Sequence, residues 1–172
     1  MLDIRLATLA DLDAITEIYN EAILTTTATF DLEPKTREDR LQWFQAHGER
    51  HPILVAELDG QVVGWTCLHP WSPRAAYKDT AETSFYVKAE HRGQGIGRQL
   101  KQAIIEEATR LGFRTLIAGV AEGSDASLHL NESFGFEVVG TFKDVGEKFG
   151  KLLDVTYLQK FLQPEEAANE SE

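Results

Sequence analysis

The residues best placed to do chemistry are gathered in Glu82–Arg98. Gly93, Gly95 and Gly97 alternate with Gln94 and Ile96, and Arg92 and Arg98 flank them, just before a stretch of helical period. The first N–H groups of a helix have no intrahelical partner, and the positive end of the helix dipole points the same way. Glycines leave those donors uncovered and the arginines add formal charge, so the segment suits anionic oxygens, a pyrophosphate above all. A flexible turn before a helix is the plainer alternative. Upstream, Glu82 precedes the strand-like run Thr83–Val87, where a carboxylate could take a proton from a group held beside the strand. On spacing alone it reads first as a solvated strand-edge carboxylate.

The elements around these residues follow from period and punctuation. From Ile96, apolar positions recur at Leu100, Ala103, Ile104, Ala108 and Leu111, one face of a helix. A dinucleotide site needs G-x-G-x-x-G at the first strand-to-helix turn, with an acid about 20 residues on. Here Leu100 stands where the third glycine belongs, and the motif lies mid-chain. Ile4–Ala7 reads as a strand, and Thr8 with Asp11 as a capping box for a helix burying Leu12, Ile15, Ile18, Tyr19, Ala22 and Ile23. The threonine-rich run Thr25–Thr29 ends that helix. Thr36 with Asp39 opens a second helix to about His47, anchored by Leu41, Trp43 and Phe44. Ile53–Leu58 and Gln61–Leu68 read as strands joined by the hairpin pair Asp59-Gly60. His69–Tyr77, with two prolines, reads as an irregular surface loop carrying Trp71, Arg74 and Tyr77. Thr115–Val120 is a buried-type strand, and Ser124 is placed to cap a short helix to about Ser133. Phe136–Phe142 and Leu152–Leu162 are the last strands, with a loop bracketed by Gly146 and Gly150 between them.

Composition narrows the function classes. A chain of 172 residues, 42% hydrophobic and 26% charged, suits one soluble domain, assigned to residues 1–162. The net charge of −11 disfavours nucleic acid and anionic membranes, whose phosphates it would repel. Residues 163–172 are acidic with nothing to bury, so disorder is expected there. No apolar run reaches the roughly 18 residues a span needs, and no basic-then-apolar signal pattern opens the chain. Cys67 is the single cysteine, which excludes an intrachain disulfide and suits a reducing cytoplasm. The histidines at 47, 51, 69, 91 and 129 lack metal-ligand spacing, so no metal is expected.

Arg92-Gly-Gln-Gly-Ile-Gly97 fits R/Q-x-x-G-x-G/A, and so resembles the acetyl-CoA pyrophosphate loop of the GNAT superfamily of N-acetyltransferases. Asn20–Ile23, Thr27–Asp31, Pro73–Tyr77 and Val145–Asp154 extend the resemblance to the phosphinothricin and methionine sulfoximine N-acetyltransferases, over all but the last ten or so residues. The resemblance implies an α/β chain of α+β type in the GNAT fold: a mixed, mostly antiparallel sheet of about seven strands with helices on both faces. It also implies acetyl-CoA as co-substrate, a small amino-acid-like amine as acceptor, and a homodimer.

Residue by residue, the resemblance makes Glu82 the base. Phe85, Tyr86 and Val87 would pair with the pantetheine arm, while Arg92, Gly93, Gln94, Gly95, Ile96, Gly97 and Arg98 would hold the pyrophosphate. Ser124 and Ser133 would also contact the cofactor. Phe30, Ser72, Pro73, Arg74, Thr83 and Ser84 would line the acceptor pocket beside Glu82. Arg74 can clamp a carboxylate bidentately. Lys148 reads first as a solvated lysine and second as another acceptor cation.

The chain departs from the family where A-S-x-x-L-H-E-x-x-G-F usually stands. Ala126–Phe136 places Asn131 at the histidine position, beside the leaving sulfur and the acceptor. Asparagine can donate a hydrogen bond but no proton. His129 lies two residues earlier, about 200° around a helix, and reads as structural or surface. The competing readings are an acetyltransferase for a protein N-terminus, lysine or polyamine, and an acetyl-CoA-binding module without catalysis.

Overall fold

Both threonine caps work as their spacing to an acid requires. In the computed structural model, which describes residues 1–163, the Thr8 N–H donates to Asp11 at 2.8 Å, and Thr36 Oγ1 accepts from the Asp39 N–H at 3.1 Å. A one-turn 3-10 segment after Thr8 leads into α1 (Leu12–Thr25), which buries all six residues of its predicted face. Helix α2 (Arg37–Ala46) differs from expectation: its buried residue is Arg40, stacked on Trp43 with the guanidinium carbon 3.6 Å from a ring centre.

The strands are β1 (Leu2–Leu6), β2 (Ile53–Leu58), β3 (Gln61–Pro70), β4 (Thr80–Val87), β5 (Thr115–Ala121), β6 (Glu137–Lys148) and β7 (Lys151–Phe161). They form one sheet in the order β1-β2-β3-β4-β5-β7-β6, and the β4–β5 pair alone is parallel. Asp59 and Gly60 both take positive φ (49° and 84°), as a two-residue turn matched to strand twist demands.

The sheet extends through two segments read as loops. β3 continues through His69 and Pro70, which pair with Glu82 and Ala81. The Leu68 N–H points to Pro52 and the Trp71 N–H to β4, so the donor that Pro70 lacks faces the side where β2 has already ended. Ala75–Tyr77 then forms a 3-10 turn. β6 runs on to Lys148 past a register shift between Phe142 and Gly146, and the turn shrinks to Phe149-Gly150, with φ of 54° and 73°. The expected disorder of the acidic tail falls on residues 164–172, outside the described part.

Strand alternation divides the core between the two faces of the sheet. Ile53, Val55, Trp65 and Cys67 pack under Ile15, Ile18 and Ile23 of α1. On the other face Leu54, Leu68, Ala81 and Leu116 meet Ile104 and Ala108 of α3 (Ile96–Arg110). Helix α4 (Asp125–Ser133) lies beyond β5. One buried residue of α3 was not expected, Lys101 at 1% exposure.

Candidate active site

The site begins where the sheet stops pairing. β4 and β5 run side by side from Thr80↔Thr115 to Glu82↔Ile117, and then part, while β4 stays paired with β3 as far as Val87. The β5-facing edge of residues 83–87 is therefore free of strand partners. A cavity of about 1090 Å³ opens there, walled by β4, β5, α4, the start of α3 and the chain that follows α1. Pockets of this size and mixed lining suit a small organic ligand.

At its far end lie Arg92, Gly93, Gly95, Gly97 and Arg98. Gly95 caps α3 with φ 81° and Gly93 has φ 74°, a backbone that side chains disfavour. Gly97 serves packing, since a Cβ there would lie 3.1 Å from the Phe85 ring. Arg92 is oriented by its own Nε–H bond to the Val87 carbonyl at 3.1 Å, and Arg98 donates to Ser133 Oγ at 3.2 Å. Phe85, Tyr86, Val87, Ile96, Ser124 and Ser133 also line the cavity, whereas Gln94 does not. Ser124 occupies the cap position of α4 without a side-chain cap bond, so its hydroxyl is not spent on the helix.

Glu82 sits at the last β4–β5 rung, half-buried, with burial pushing its carboxyl above the ordinary value. A Cβ added to Gly119, which lines the cavity, would come within 3.6 Å of Glu82 Oε1 and 3.2 Å of the Tyr157 ring. Glu82 does not itself line the cavity; its carboxylate lies behind Gly119, at a position that glycine keeps open. His69 Nδ1 stands 4.0 Å from Glu82 Oε2, and its Nε2 lies 3.2 Å from Ser84 Oγ. Burial pushes His69 down to about 4, so it meets Glu82 as a neutral imidazole at pH 7 rather than as an ion-pair partner. Burial and the Glu82 charge raise the Tyr157 phenol.

His69, Gly119 and Tyr157 were missed by sequence reasoning. The pairing of His69 with Glu82 follows from register, and no local pattern marks it. Thr83 and Ser84 point to opposite faces of β4: Ser84 joins His69, whereas Thr83 Oγ1 accepts a 2.7 Å bond from Lys101 on the α3 side.

Asn131 is buried at the cavity wall, with its Nδ2 donating to the Ser127 carbonyl at 2.9 Å. Its Oδ1 is buried without a partner, an orphaned acceptor beside the cavity. One of its two amide N–H donors is engaged within the helix. His129 lies on exposed α4 surface at the cavity edge.

On the Glu82 face, the segment 26–36 is pinned at both ends. Asn20 exchanges two bonds with Lys35, and Thr27 Oγ1 donates to the Glu122 carbonyl at 2.8 Å. The Phe30 ring lies against Gly146, so closely that a Cβ there would fall on it. Lys148 is buried, 4% exposed, and donates to the Thr29 carbonyl at 2.8 Å. This corrects the solvated-lysine expectation: the ammonium ties the 26–36 segment to the β6–β7 hairpin. Ser72, Pro73, Arg74 and Phe30 do not line the cavity itself. The Arg74 side chain is exposed on the turn after β3, while its N–H lies 3.4 Å from Ser72 Oγ. Among the described residues there is no cluster of His, Cys, Asp and Glu that could hold a metal.

A cavity with uncovered amides and arginines at one end, and a half-buried carboxylate behind Gly119 towards the other, fits a long anionic thioester. Comparison with known proteins agrees. Residues 13–136 match the acetyltransferase (GNAT) family. The L-methionine sulfoximine/L-methionine sulfone acetyltransferase of Pseudomonas paraeruginosa is 40% identical over 96% of this chain and 97% of its own. Among solved structures, a ribosomal-protein-alanine N-acetyltransferase from Brucella melitensis is 43% identical, with a TM-score of 0.90 over 93% of this chain and 99% of that one. A phosphinothricin acetyltransferase from Sinorhizobium meliloti, solved with acetyl-CoA, is 33% identical, with a TM-score of 0.91 over 98% of this chain and 96% of that one. With fold, cavity and glycine loop in agreement, the chain belongs to the GNAT family of acetyltransferases.

Proposed function

We propose that the protein transfers the acetyl group of acetyl-CoA to the primary amine of a small amino-acid-like acceptor of the phosphinothricin, methionine sulfoximine or methionine sulfone type. The observation that carries this reading is the position of Glu82, half-buried at the rung where β4 and β5 part. Gly93–Arg98 hold the diphosphate, and the free edge of Phe85–Val87 offers backbone groups to the pantetheine amides. The acyl end then lies beside Glu82. An ammonium has no lone pair, so the acceptor must lose a proton before it attacks, and Glu82 takes it directly or through a water. Burial favours this, because a carboxyl held above its ordinary value is a better base at neutral pH. Attack and loss of the thiolate occur in one ternary complex, where alignment of the reactants supplies much of the rate.

Arg74, exposed on the turn after β3, offers the acceptor's carboxylate a cation, and Phe30, Ser72 and Pro73 complete the acceptor side. The relatives that act on methionine sulfoximine and phosphinothricin support this choice. The 43% likeness to a ribosomal-protein-alanine acetyltransferase favours a second reading, in which a protein N-terminus is the acceptor. Release of free CoA across a panel of amino acids, their sulfone and phosphinate analogues, short peptides and polyamines separates the two. Turnover confined to free amino-acid analogues is expected, and turnover confined to peptides overturns the first reading. Arg74→Ala is expected to raise KM for a carboxylate acceptor far more than KM for acetyl-CoA. A protein that binds acetyl-CoA but turns over none of these amines would be a binding module.

A homodimer is the proposed assembly. β6 is an edge strand, and Val138, Val139, Phe142 and Val145 stand exposed on it. An apolar edge of that length is an aggregation hazard unless a partner covers it. A cytoplasmic location fits the lone buried Cys67, and among the described residues no helix is long and apolar enough to cross a membrane.

A further inference from the structure

Lys101 has no part in the reaction described above, yet it is one of the most enclosed side chains in the protein. At 1% exposure it lines the cavity, its Nζ donates to Thr83 Oγ1 at 2.7 Å, and the same atom sits 4.3 Å from the centre of the Phe136 ring. A buried ammonium with a single hydroxyl acceptor is expensive to keep, and a helix face otherwise lined by Ile96, Leu100, Ile104 and Ala108 would accept an apolar residue there.

Its place in the cavity suggests why it is kept. Thr83 is the first residue beyond the last β4–β5 rung, so Lys101 marks the closed end of the cleft. The glycine loop lies past Val87 at the other end, about 13 Å along an extended strand. A thioester whose diphosphate is seated on Gly93–Arg98 therefore brings its acyl end towards Thr83. Glu82 and Thr83 are neighbours that project to opposite faces of β4, which puts the base on the α1 side and the ammonium on the α3 side of the strand where β5 parts from it. Asn131, on the α4 wall of the cleft, cannot deliver a proton, and one of its two amide N–H donors is held by Ser127.

We propose that Lys101 is the acid of the reaction: its ammonium protonates the departing thiolate of coenzyme A, and Thr83 is the positioning residue that aims it. Glu82 takes one proton from the ammonium and passes it to solvent, and the neutral amine attacks so that the N–C bond forms. As the C–S bond breaks, nitrogen loses its second proton to Glu82, which again releases it to solvent. Sulfur takes its proton from Lys101 Nζ, and Lys101 recovers one from solvent after CoA leaves. From an ammonium acceptor the balance is two protons lost by nitrogen, one gained by sulfur and one released to solvent.

The surroundings suit such a donor. Burial alone lowers the lysine, to about 7, close to the pH at which it would act. Against its ammonium stand the Thr83 hydroxyl from β4 and the Phe136 ring. Besides Lys101, the charged and titratable groups of the same cavity are Tyr86 on β4, His91, Arg92 and Arg98 at the diphosphate end and His129 on exposed α4, with Glu82 across β4. Among the described residues no carboxylate bonds or ion-pairs with Lys101 to hold it charged at high pH.

The inference rests on the acetyl-CoA reading of the cavity, and calorimetric binding of acetyl-CoA tests that reading separately. For Lys101, kcat at saturating substrates is measured against pH in the wild type, Lys101→Met and Thr83→Val. The lysine ε-carbon resonance is followed by NMR in the wild-type protein without substrates. Wild-type kcat should fall as pH rises through the neutral range, because the acid must be protonated. Lys101→Met should bind acetyl-CoA as before, lose that alkaline limb and sit about 10- to 100-fold lower at its plateau. Thr83→Val, which removes the hydroxyl and keeps the shape, should move the limb to lower pH, an effect that a purely structural lysine would not produce. The NMR titration should fall near pH 7. An unchanged alkaline limb in Lys101→Met, or a lysine that titrates in the ordinary range near 10, overturns the proposal. Should Lys101→Met fail to fold, the Thr83→Val profile decides in the same way.

Discussion

The two halves of the site are built differently. The half proposed for the cofactor is a nearly continuous stretch, Glu82–Arg98, in which one strand, one turn and one helix start offer backbone groups and arginines. The acceptor half is a mosaic: Phe30 lies on Gly146, Lys148 reaches the Thr29 carbonyl 119 positions away, and Trp71 meets Tyr157 edge to face at 5.9 Å. In the proposed reading the first has only to hold the diphosphate and pantetheine of acetyl-CoA, for which main-chain donors suffice. The second has to recognise one acceptor, and side chains gathered from distant segments can be exchanged without rebuilding the strand and helix beside them.

Glu82→Gln should break the junction of the two halves. An expected loss of about 10²- to 10⁴-fold in kcat with acetyl-CoA affinity unchanged is read from steady-state kinetics and calorimetry. The base acts when deprotonated, so wild-type activity should rise with pH through a value above the ordinary carboxylate pKa, and that acid limb should vanish in the variant. Gly146→Ala should damage the acceptor half alone. The new methyl would displace the Phe30 ring and the segment that carries it, lowering kcat/KM for the acceptor by about 10- to 100-fold while KM for acetyl-CoA holds. Gly95→Ala is the mirror image. A side chain at φ 81° adds about 1–2 kcal/mol of strain at the cap of α3, so acetyl-CoA affinity, measured by calorimetry, should fall about 5- to 30-fold with acceptor KM little changed.

Asp11→Asn lies outside both halves and should leave kinetics alone while lowering stability by about 1 kcal/mol in urea unfolding. Bonds from Arg5, and then from the Thr8 N–H, hold the Asp11 carboxyl below its ordinary value. A depressed carboxyl stabilises the fold above its unfolded-state pKa, so this contribution persists at neutral pH. It disappears as pH falls below about 3.8.

Much of this was legible because it is local. A hydroxyl three residues before an acid, a six-residue apolar face, an Asp-Gly pair and a glycine-spaced helix start all act within a few residues, and each forms the element its pattern predicts. The misreadings came where a distant partner overrides the local signal. Pro70 is tolerated in β3 because β2 has already ended beside it, and Gly146 sits within a strand because the Phe30 ring needs the space. Arg40 and Lys101 occupy positions that helical charge patterns assign to solvent, yet one is buried against Trp43 and the other against Thr83 and Phe136.

By itself the sequence determined the two threonine caps, the apolar face of α1, the hairpin turn and the glycine-spaced start of α3, since each depends on neighbours in the chain. Only the tertiary structure decided that Glu82 stands at the parting of β4 and β5, with His69 and Tyr157 on one face and Lys101 on the other. Those contacts depend on register and on which elements come to lie side by side. The packing of the whole sheet sets both.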